Sequence, residues 1–252
     1  MITERRRQVI LDQLNQKKIV TIHDLTTLTG ASESTVRRDL CDLEKQKLLL
    51  RIHGGAKLVT SSLLEESKVG IRAQLHQSVK KLIAQRAVNL INDHEVIFLD
   101  SGTTTRAMIP FLANHQDLLV LTNSVDNAAL LADYQINTIM LGGQLRNSTK
   151  AAVGQTVLTY LRDCHLDQAF LGTNGFDESH GFTTPDPEES LVKRIAIEQS
   201  EQAYILTDHS KYQQTRFSKF ASIQNAAIIS DELPADIKAR LMKHTILMEV
   251  TK

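Results

Sequence analysis

Small, hydroxyl-bearing and charged residues follow each of five short apolar runs in this 252-residue chain. The first such segment, residues 100–105, reads Asp-Ser-Gly-Thr-Thr-Thr. Where such a turn opens a helix, its N–H groups and hydroxyls can bind an anion, with a favourable dipole. Lysine or arginine can supply charge for a phosphate, and carboxylates can accept sugar hydroxyls. The candidate ligand-binding residues are Asp100, Ser101, Gly102, Thr103, Thr104, Thr105, Asn123, Gly142, Gly143, Arg146, Gly172, Lys193, Asp208 and Lys211.

This pattern differs from that of nucleotide-binding loops. Segment 100–105 lacks the Gly-Lys pair of a Walker A loop, and no apolar run is followed by Gly-x-Gly-x-x-Gly. We therefore expect a small phosphorylated metabolite rather than a nucleotide. Any single strand-to-helix loop is often rich in Ser, Thr and Gly for capping alone. Five such loops at one sheet edge favour a ligand over that structural alternative.

A second group of candidate residues belongs to a short amphipathic helix near the N-terminus. Ser32 stands at an N-cap position, and Val36, Leu40 and Leu43 form an apolar stripe at i, i+4 and i+7. The rest of this helix and the segment after it carry hydroxyl, guanidinium and other basic groups, which bind guanine edges and phosphates. The candidate DNA-contact residues are Ser34, Thr35, Arg37, Arg38, Lys45, Arg51, His53 and Lys57.

Three helices and a hairpin are needed to position the DNA-contact residues. The spacing predicts helices over 4–15, 21–28 and Glu33 to about Lys47, with a turn at Gly30 between the last two. Residues 48–59 predict a hairpin with its two-residue turn at Gly54-Gly55. This order is that of a winged helix-turn-helix. The alternative is a small helical oligomerisation domain with solvated arginines.

The C-terminal part alternates apolar runs with helical segments. Strands are predicted at 96–99, 118–121, 138–141, 169–171 and 203–206, and helices from Val79 to Leu90 and near 103–113, 125–134, 151–163 and 188–200. Short apolar strands that alternate with helices favour an α/β fold with a parallel sheet covered on both faces. The carboxyl ends of its strands would form the ligand crevice. We expect a DNA-binding domain at 3–58, a linker at 59–75 and a sensing domain at 76–252.

The net charge of zero conceals a division between the two predicted domains. The chain has 29 Lys and Arg against 29 Asp and Glu, but residues 1–57 hold eleven basic and seven acidic residues, a net charge of +4. The remaining residues therefore carry −4. Such asymmetry is a known sign of a nucleic-acid-binding end.

Several other classes of protein are disfavoured by the composition. No apolar run approaches the roughly 18 residues that span a bilayer, and no apolar segment follows the basic residues near Met1. Cys41, Cys164 and the nine histidines lack metal-ligand spacing. Aromatic residues make up 4% of the chain, too few for stacking platforms. We expect a soluble cytoplasmic protein without metal, cofactor or membrane partner.

The sequence resembles the DeoR-type regulators of bacterial sugar operons. The resemblance in the N-terminal part is carried by residues 31–40, which read Ala-Ser-Glu-Ser-Thr-Val-Arg-Arg-Asp-Leu, by Leu43-Glu44, and by residues 51–56, which read Arg-Ile-His-Gly-Gly-Ala. It implies that Thr35, Arg37 and Arg38 face operator DNA. The matching C-terminal segments are 99–105, 121–123, 141–143 with Arg146, 170–172 and 208–211.

The resemblance also implies a fold and a function. The sensor domain of that family is similar in fold to ribose-5-phosphate isomerase and CoA-transferase-like domains, and it binds a phosphosugar inducer. The wording is nearest to Gram-positive fructose-operon repressors, which implies fructose 1-phosphate as effector. We thus expect a homodimeric or homotetrameric repressor of a sugar transport or catabolism operon, with no catalytic residues.

Two other functions remain open at this point. One is a sugar-phosphate isomerase that carries an added DNA-binding domain. It would need a carboxylate base in the crevice, for which the spacing favours neither Asp100 nor Glu188. The other is a constitutive DNA-binding protein whose sensor fold no longer binds a ligand.

Overall fold

The computed structural model describes residues 2–46, 48–58, 63–64 and 69–251. The chain divides into two compact units, residues 1–62 and 63–252. The first unit contains α1 (Thr3–Lys17), β1 (Ile19–Thr21), α2 (Ile22–Thr29), α3 (Glu33–Lys45), β2 (Leu49–Ile52) and β3 (Gly55–Leu58). Its core includes Ile10, Leu14, Leu25, Val36 and Leu40, so the apolar stripe of α3 faces inward as predicted.

The hairpin of the first unit pairs with a third strand that the sequence did not indicate. The three strands form an antiparallel sheet in the order β1-β3-β2. Ile52 is paired with Gly55, so the two-residue turn is His53-Gly54 rather than the predicted Gly54-Gly55. Gly54 has the positive φ that the turn requires. A Cβ on Gly55 would lie 2.1 Å from Val20 O, because β1 passes directly beside it.

The second unit begins with helices and continues as an α/β layer structure. Its elements are α4 (Val69–Gln74), α5 (Gln77–Val88), β4 (Val96–Leu99), α6 (Thr103–Arg106), α7 (Ile109–Leu112), β5 (Leu119–Thr122), α8 (Val125–Asp133), β6 (Asn137–Met140), β7 (Gln144–Leu145), β8 (Ala152–Val153), α9 (Gln155–Arg162), β9 (Leu166–Gly172), β10 (Gly175–Asp177), β11 (Gly181–Thr184), α10 (Pro187–Glu198), β12 (Ser200–Leu206), β13 (Ser218–Ala221), β14 (Ala227–Asp231), α11 (Ala235–Leu241) and β15 (Leu247–Val250).

A parallel sheet forms the centre of the second unit. Seven strands pair in the order β15-β14-β12-β9-β4-β5-β6, and every neighbouring pair is parallel. Phe98, Leu171 and Ile205 pack into one apolar cluster, and Ile97, Leu99 and Phe170 contribute to another. Side chains of β4 and β9 thus enter both clusters, as expected for a sheet covered on both faces. The α/β fold class predicted from the sequence is confirmed.

The element boundaries differ from the predicted ones in several places. The predicted helix 103–113 is interrupted between α6 and α7, and the N-terminal part of the predicted helix 151–163 is β8. The sequence did not indicate β14 and β15 at one end of the sheet, nor the small antiparallel sheet β10-β11-β13. Within the expected linker 59–75, residues 69–74 form α4, whereas residues 59–62 and 65–68 lie outside the described residues. Lys47, the expected end of the third helix, also lies outside them, and α3 ends at Lys45.

Candidate DNA interface and effector site

Helix α3 presents its polar side to solvent because local sequence fixes both its start and its orientation. The Ser32 hydroxyl accepts the Thr35 backbone N–H at 3.3 Å, which caps the helix as predicted. Opposite the buried stripe, Ser34, Arg38 and Lys45 are exposed, and Arg37 is exposed on the flank. Such a helix can enter a major groove with its first turns leading.

Two arginines of α1 hold α3 in place through an ion-pair network. The guanidinium of Arg6 contacts Asp39, with Nε–Oδ2 and Nη2–Oδ1 distances of 2.5 and 3.3 Å. Arg7 reaches Asp39 at 3.3 Å and Asp42 at 2.5 Å. Asp39 is 2% and Arg6 9% exposed, so this pair is largely desolvated, whereas Arg7 and Asp42 are partly exposed. This network was not predicted from the sequence, although an aspartate next to the apolar stripe of α3 was a signal for it.

The hairpin of β2 and β3 is the wing of the predicted winged helix-turn-helix, and it carries the remaining candidate DNA-contact residues. The backbone N–H of Arg51 donates to Glu44 Oε1 at 2.9 Å, and its Nη1 donates to Cys41 Sγ at 3.0 Å. These bonds attach β2 to α3. His53 at the turn and Lys57 on β3 are exposed. The geometry thus places all eight candidate DNA-contact residues on α3 and the wing.

In the second unit, a buried ion pair joins three elements at the carboxyl edge of the sheet. Lys193 Nζ of α10 contacts the Asp100 carboxylate after β4 and donates to the Gly172 carbonyl at 3.0 Å. The Gly172 N–H donates to Asp100 Oδ2, also at 3.0 Å. Lys193 and Asp100 are 4% and 2% exposed. Three of the predicted ligand residues are therefore brought together, and they satisfy one another.

The hydroxyls of segment 100–105 fall into two groups. Thr105 is fully buried, and its hydroxyl is 2.6 Å from Asp100 O and 2.8 Å from Gly102 O, so it shapes the loop. The side-chain hydroxyls of Ser101, Thr103 and Thr104 have no hydrogen-bond partner among the residues that the structure describes. A ligand could use these three hydroxyls without breaking an internal bond.

The predicted residues after β5 and β6 have mixed roles. Asn123 is 1% exposed; its Nδ2 donates to Ala152 O, and its Oδ1 has no partner within the described part of the chain. Gly142 is exposed, and a Cβ added to it would meet no described atom within 4 Å. A Cβ on Gly143 would lie 2.4 Å from Val153 O, which gives this glycine a packing role.

Arg146 is already paired with acidic groups of α10. Its Nη1 contacts Asp186, its Nε lies 3.3 Å from Glu189 Oε1, and the Thr149 hydroxyl donates to the same carboxylate at 2.5 Å. Asp186 also caps α10 by accepting the Glu189 N–H at 2.9 Å. The charge that the sequence analysis offered to a phosphate is therefore largely compensated here.

A second cluster, of half-buried polar and charged groups, surrounds the buried Asp208, after β12. Burial alone would raise the pKa of this carboxyl, but Lys211, His76, the Ser210 hydroxyl and His209 hold it well below its ordinary value. His209 in turn pairs with Asp231, with 2.6 Å between Nδ1 and Oδ2. Asp208 and Lys211 were predicted ligand residues, whereas His76, His209 and Asp231 were not.

Lys80 of α5 also belongs to the Asp208 cluster and was missed. It is 7% exposed, and its ammonium donates to the Arg72 carbonyl. Burial lowers the pKa of Lys80 from its ordinary 10.5 to about 8, against the opposing field of Asp208. A lysine between the apolar positions Val79 and Ile83 was the signal that sequence reasoning could have used.

No helix within the described residues is long and apolar enough to cross a membrane. In the same part of the chain, no group of three or more His, Cys, Asp or Glu side chains is placed to hold a metal ion.

The fold and these surfaces define a winged helix-turn-helix regulator with an α/β sensor unit. Residues 6–62 match the DeoR-like helix-turn-helix domain, and residues 75–232 match the DeoR C-terminal sensor domain. The chain belongs to the DeoR family of transcriptional regulators, which confirms the resemblance seen in the sequence.

Full-length relatives agree with this assignment. The chain is 41% identical over 233 residues to the uncharacterized HTH-type transcriptional regulator FruR of Bacillus subtilis, covering 92% of each protein. It is 36% identical to the HTH-type transcriptional repressor GlcR of the same organism, covering 93% of this chain and 90% of the relative. These relatives are regulators rather than enzymes, so the isomerase alternative is not favoured.

Two solved structures resemble the chain at low similarity. Ribose 5-phosphate isomerase A of Methanocaldococcus jannaschii is 20% identical, with a TM-score of 0.41 over 54% of each chain. The translation initiation factor eIF-2B of Pyrococcus horikoshii is 12% identical, with a TM-score of 0.45 over 86% of this chain and 74% of that one.

Proposed function

We propose that this regulator represses a sugar transport or catabolism operon and leaves its operator when a sugar phosphate binds the second unit. The observation that carries the proposal is the row of polar groups at the carboxyl edge of the sheet. Three hydroxyls on segment 101–104, which have no partner among the described residues, directly follow Asp100, which pairs with the buried Lys193. Buried charges are costly unless they are paired, and they concentrate at functional sites.

Within this proposal, Ser101, Thr103 and Thr104 bind the phosphate, Lys211 supplies positive charge, and Asp208 accepts hydrogen bonds from sugar hydroxyls. Asp100 and Lys193, which bind each other and Gly172, hold the loop in place at the site. The side-chain oxygen of Asn123 is a further hydrogen-bond acceptor, because it has no partner among the described residues. Thr105, Gly143 and Arg146 shape the site, given their internal contacts. Fructose 1-phosphate is our first choice of effector, because of the sequence resemblance and the name of the FruR relative.

The same proposal assigns domain boundaries and an oligomeric state to the chain. We assign DNA binding to residues 3–58, the connection to 59–75 and effector sensing to 76–252. The division of the chain into compact units between residues 62 and 63 supports this assignment. A homodimer or homotetramer binding a two-fold symmetric operator in the cytoplasm suits a recognition helix of this size, since one helix covers only a half-site.

A thermal-shift screen of the full chain tests the effector. Fructose 1-phosphate at 100 times its dissociation constant should stabilise the protein by about 2.7 kcal/mol, which raises the melting temperature. Fructose 6-phosphate, glycerol 3-phosphate, free fructose and inorganic phosphate serve as comparisons. A Thr103→Ala/Thr104→Ala variant should lose the shift and keep its DNA affinity. If no phosphosugar raises the melting temperature of the wild type, the effector proposal fails, whereas the proposal of operator binding still stands.

A further inference from the structure

The two adjacent arginines of α3 have different surroundings. The Arg37 guanidinium binds the Glu33 carboxylate one turn earlier, with distances of 3.0 Å from Nε and 2.5 Å from Nη2 to Oε1. It lines a depression of about 430 Å³ whose other walls are Ile22, His23, Thr26, Ala31, Glu33 and Gly54. Arg37 thus lies along α2 and the wing turn, at the side of the recognition helix.

Arg38 lies on the open face of α3. It is exposed and makes no hydrogen bond or ion pair with any residue that the structure describes. At about 100° per residue, Arg38 is roughly 200° from the buried Val36, whereas Arg37 is only about 100° away. Arg38 shares its face with Ser34, one turn nearer the N-terminus of the helix. It is therefore directed where a groove floor would meet the helix.

From these differences, and resting on operator binding by α3, we propose that Arg38 reads a guanine while Arg37 does not read a base. A guanidinium in the position of Arg38 can bind guanine O6 and N7 bidentately without giving up a described protein partner. If Arg37 turned to the DNA instead, it would leave the Glu33 carboxylate unpaired near the phosphates. Arg37 is a positioning residue that neutralises Glu33 at the side of the groove.

The distribution of charge over the first turns of α3 supports the same division. Glu33 and Arg37 form a pair with no net charge, so the charge of Arg38 is the one left to act on DNA beside Ser34 and Thr35. The pair itself is weak, since both side chains are more than half exposed. It neutralises the local charge and contributes little to the stability of the unit, so the place of Arg37 on the flank of α3, more than the pair, keeps it away from the bases.

The test begins with the wild-type full chain, which selects its preferred duplexes from a randomised DNA pool. Affinities of the variants are then measured for the selected duplex, for duplexes with each guanine replaced in turn, and at several salt concentrations. Arg38→Ala should lose discrimination at one guanine per half-site by about 10-fold or more and keep it elsewhere. Arg38→Lys should lose the same discrimination while it keeps the salt dependence, because lysine retains the charge but not the bidentate fork.

The neighbouring pair supplies matched controls. Arg37→Ala should weaken binding to all duplexes to the same extent and select the same sequence as the wild type. Glu33→Gln frees Arg37 for a phosphate, so it should strengthen binding evenly and steepen the salt dependence by about one ion. Melting temperatures of all variants should match that of the wild type, since every altered side chain is exposed.

Two outcomes would overturn the inference while leaving operator binding by α3 intact. One is an Arg38→Ala variant that selects the wild-type sequence and keeps every guanine preference. The other is an Arg37→Ala variant that loses a guanine preference while Arg38→Ala does not. A wild-type chain that selects no sequence from the pool would refute operator recognition itself, and with it this division of roles.

Discussion

At the scale of single residues, Asp39 connects the recognition helix to the rest of the DNA-binding unit. Replacing it with alanine removes a buried carboxylate that binds the Arg6 guanidinium, which is itself 9% exposed. Removing one partner of a buried pair typically costs about 3–5 kcal/mol. We expect Asp39→Ala to lower the free energy of unfolding of this unit by that amount, measured by urea denaturation, and to abolish operator binding.

Asp42 is the matched control for this substitution. It binds Arg7 on the same two helices, but its side chain is 36% exposed. Because exposed pairs contribute at most about 1 kcal/mol, Asp42→Ala should unfold near the wild-type urea concentration. Equal losses in the two variants would mean that burial of the network does not matter.

The pKa of Lys80 makes stability depend on pH in the alkaline range. The folded state holds the ammonium pKa at about 8, below the ordinary 10.5, so charged Lys80 opposes folding below pH 8. Between pH 8 and 10.5 the unfolded chain binds more protons than the folded one, and stability therefore rises with pH. The full contribution is on the order of 3 kcal/mol.

A comparison of variants isolates this contribution. Lys80→Met removes the titrating group, so its stability advantage over the wild type should shrink steadily from pH 8 to 10.5 in urea denaturation. The exposed neighbour Lys81 gives the control, since the free energy of unfolding of Lys81→Met should change with pH as that of the wild type does. A constant difference between Lys80→Met and the wild type would contradict the assignment.

At the scale of elements, what the sequence predicted depended on local pattern. The Ser32 cap and the stripe of α3 lie within four residues of their partners, and β4 follows from one apolar run. The Arg6–Asp39 pair joins residues 33 apart, and the Asp208 cluster draws His76 and Lys80 from a distant part of the chain. Only the packing of elements brings such groups together, so the local pattern could mark Asp39 or Lys80 as unusual but could not identify its partners.

The Thr-rich segment shows a second limit. Thr103, Thr104 and Thr105 are the same residue in the same loop, and the sequence nominated all three as ligand contacts. The start of α6 turns Thr105 inward to the carbonyls of Asp100 and Gly102, whereas the other two hydroxyls have no partner in the described part of the chain. Thr104 is buried as well, so what distinguishes Thr105 is its internal hydrogen bonds, which depend on the direction of the backbone after β4.

The wing allows a prediction about an element as a whole. Gly55 lies where β3 meets β1, and an alanine Cβ there would be 2.1 Å from Val20 O. The strands must separate, so Gly55→Ala should cost about 1–3 kcal/mol and weaken operator binding, because Arg51 and Lys57 move with the hairpin. Gly142→Ala, where a Cβ meets no described atom within 4 Å, should unfold within about 0.5 kcal/mol of the wild type.

At the scale of the whole molecule, the division of charge separates the two tasks. The first 57 residues carry +4 and the remainder −4, so electrostatic attraction to DNA resides in the unit that carries α3. An effector that binds the other unit must act through a change of arrangement between DNA-binding and non-binding states. It shifts that balance only by its difference in affinity for the two states.

This coupling is reciprocal, which gives a prediction independent of the route by which it travels. If fructose 1-phosphate lowers the affinity for the selected duplex 100-fold, about 2.7 kcal/mol, the duplex must lower the affinity for fructose 1-phosphate by the same factor. Calorimetric titrations of the effector with and without saturating duplex measure one factor, and fluorescence anisotropy of labelled duplex with and without effector measures the other. If fructose 1-phosphate binds equally tightly to the free protein and to the DNA complex, this sugar phosphate does not release the operator. The protein would then be a regulator whose sensor unit binds a different effector.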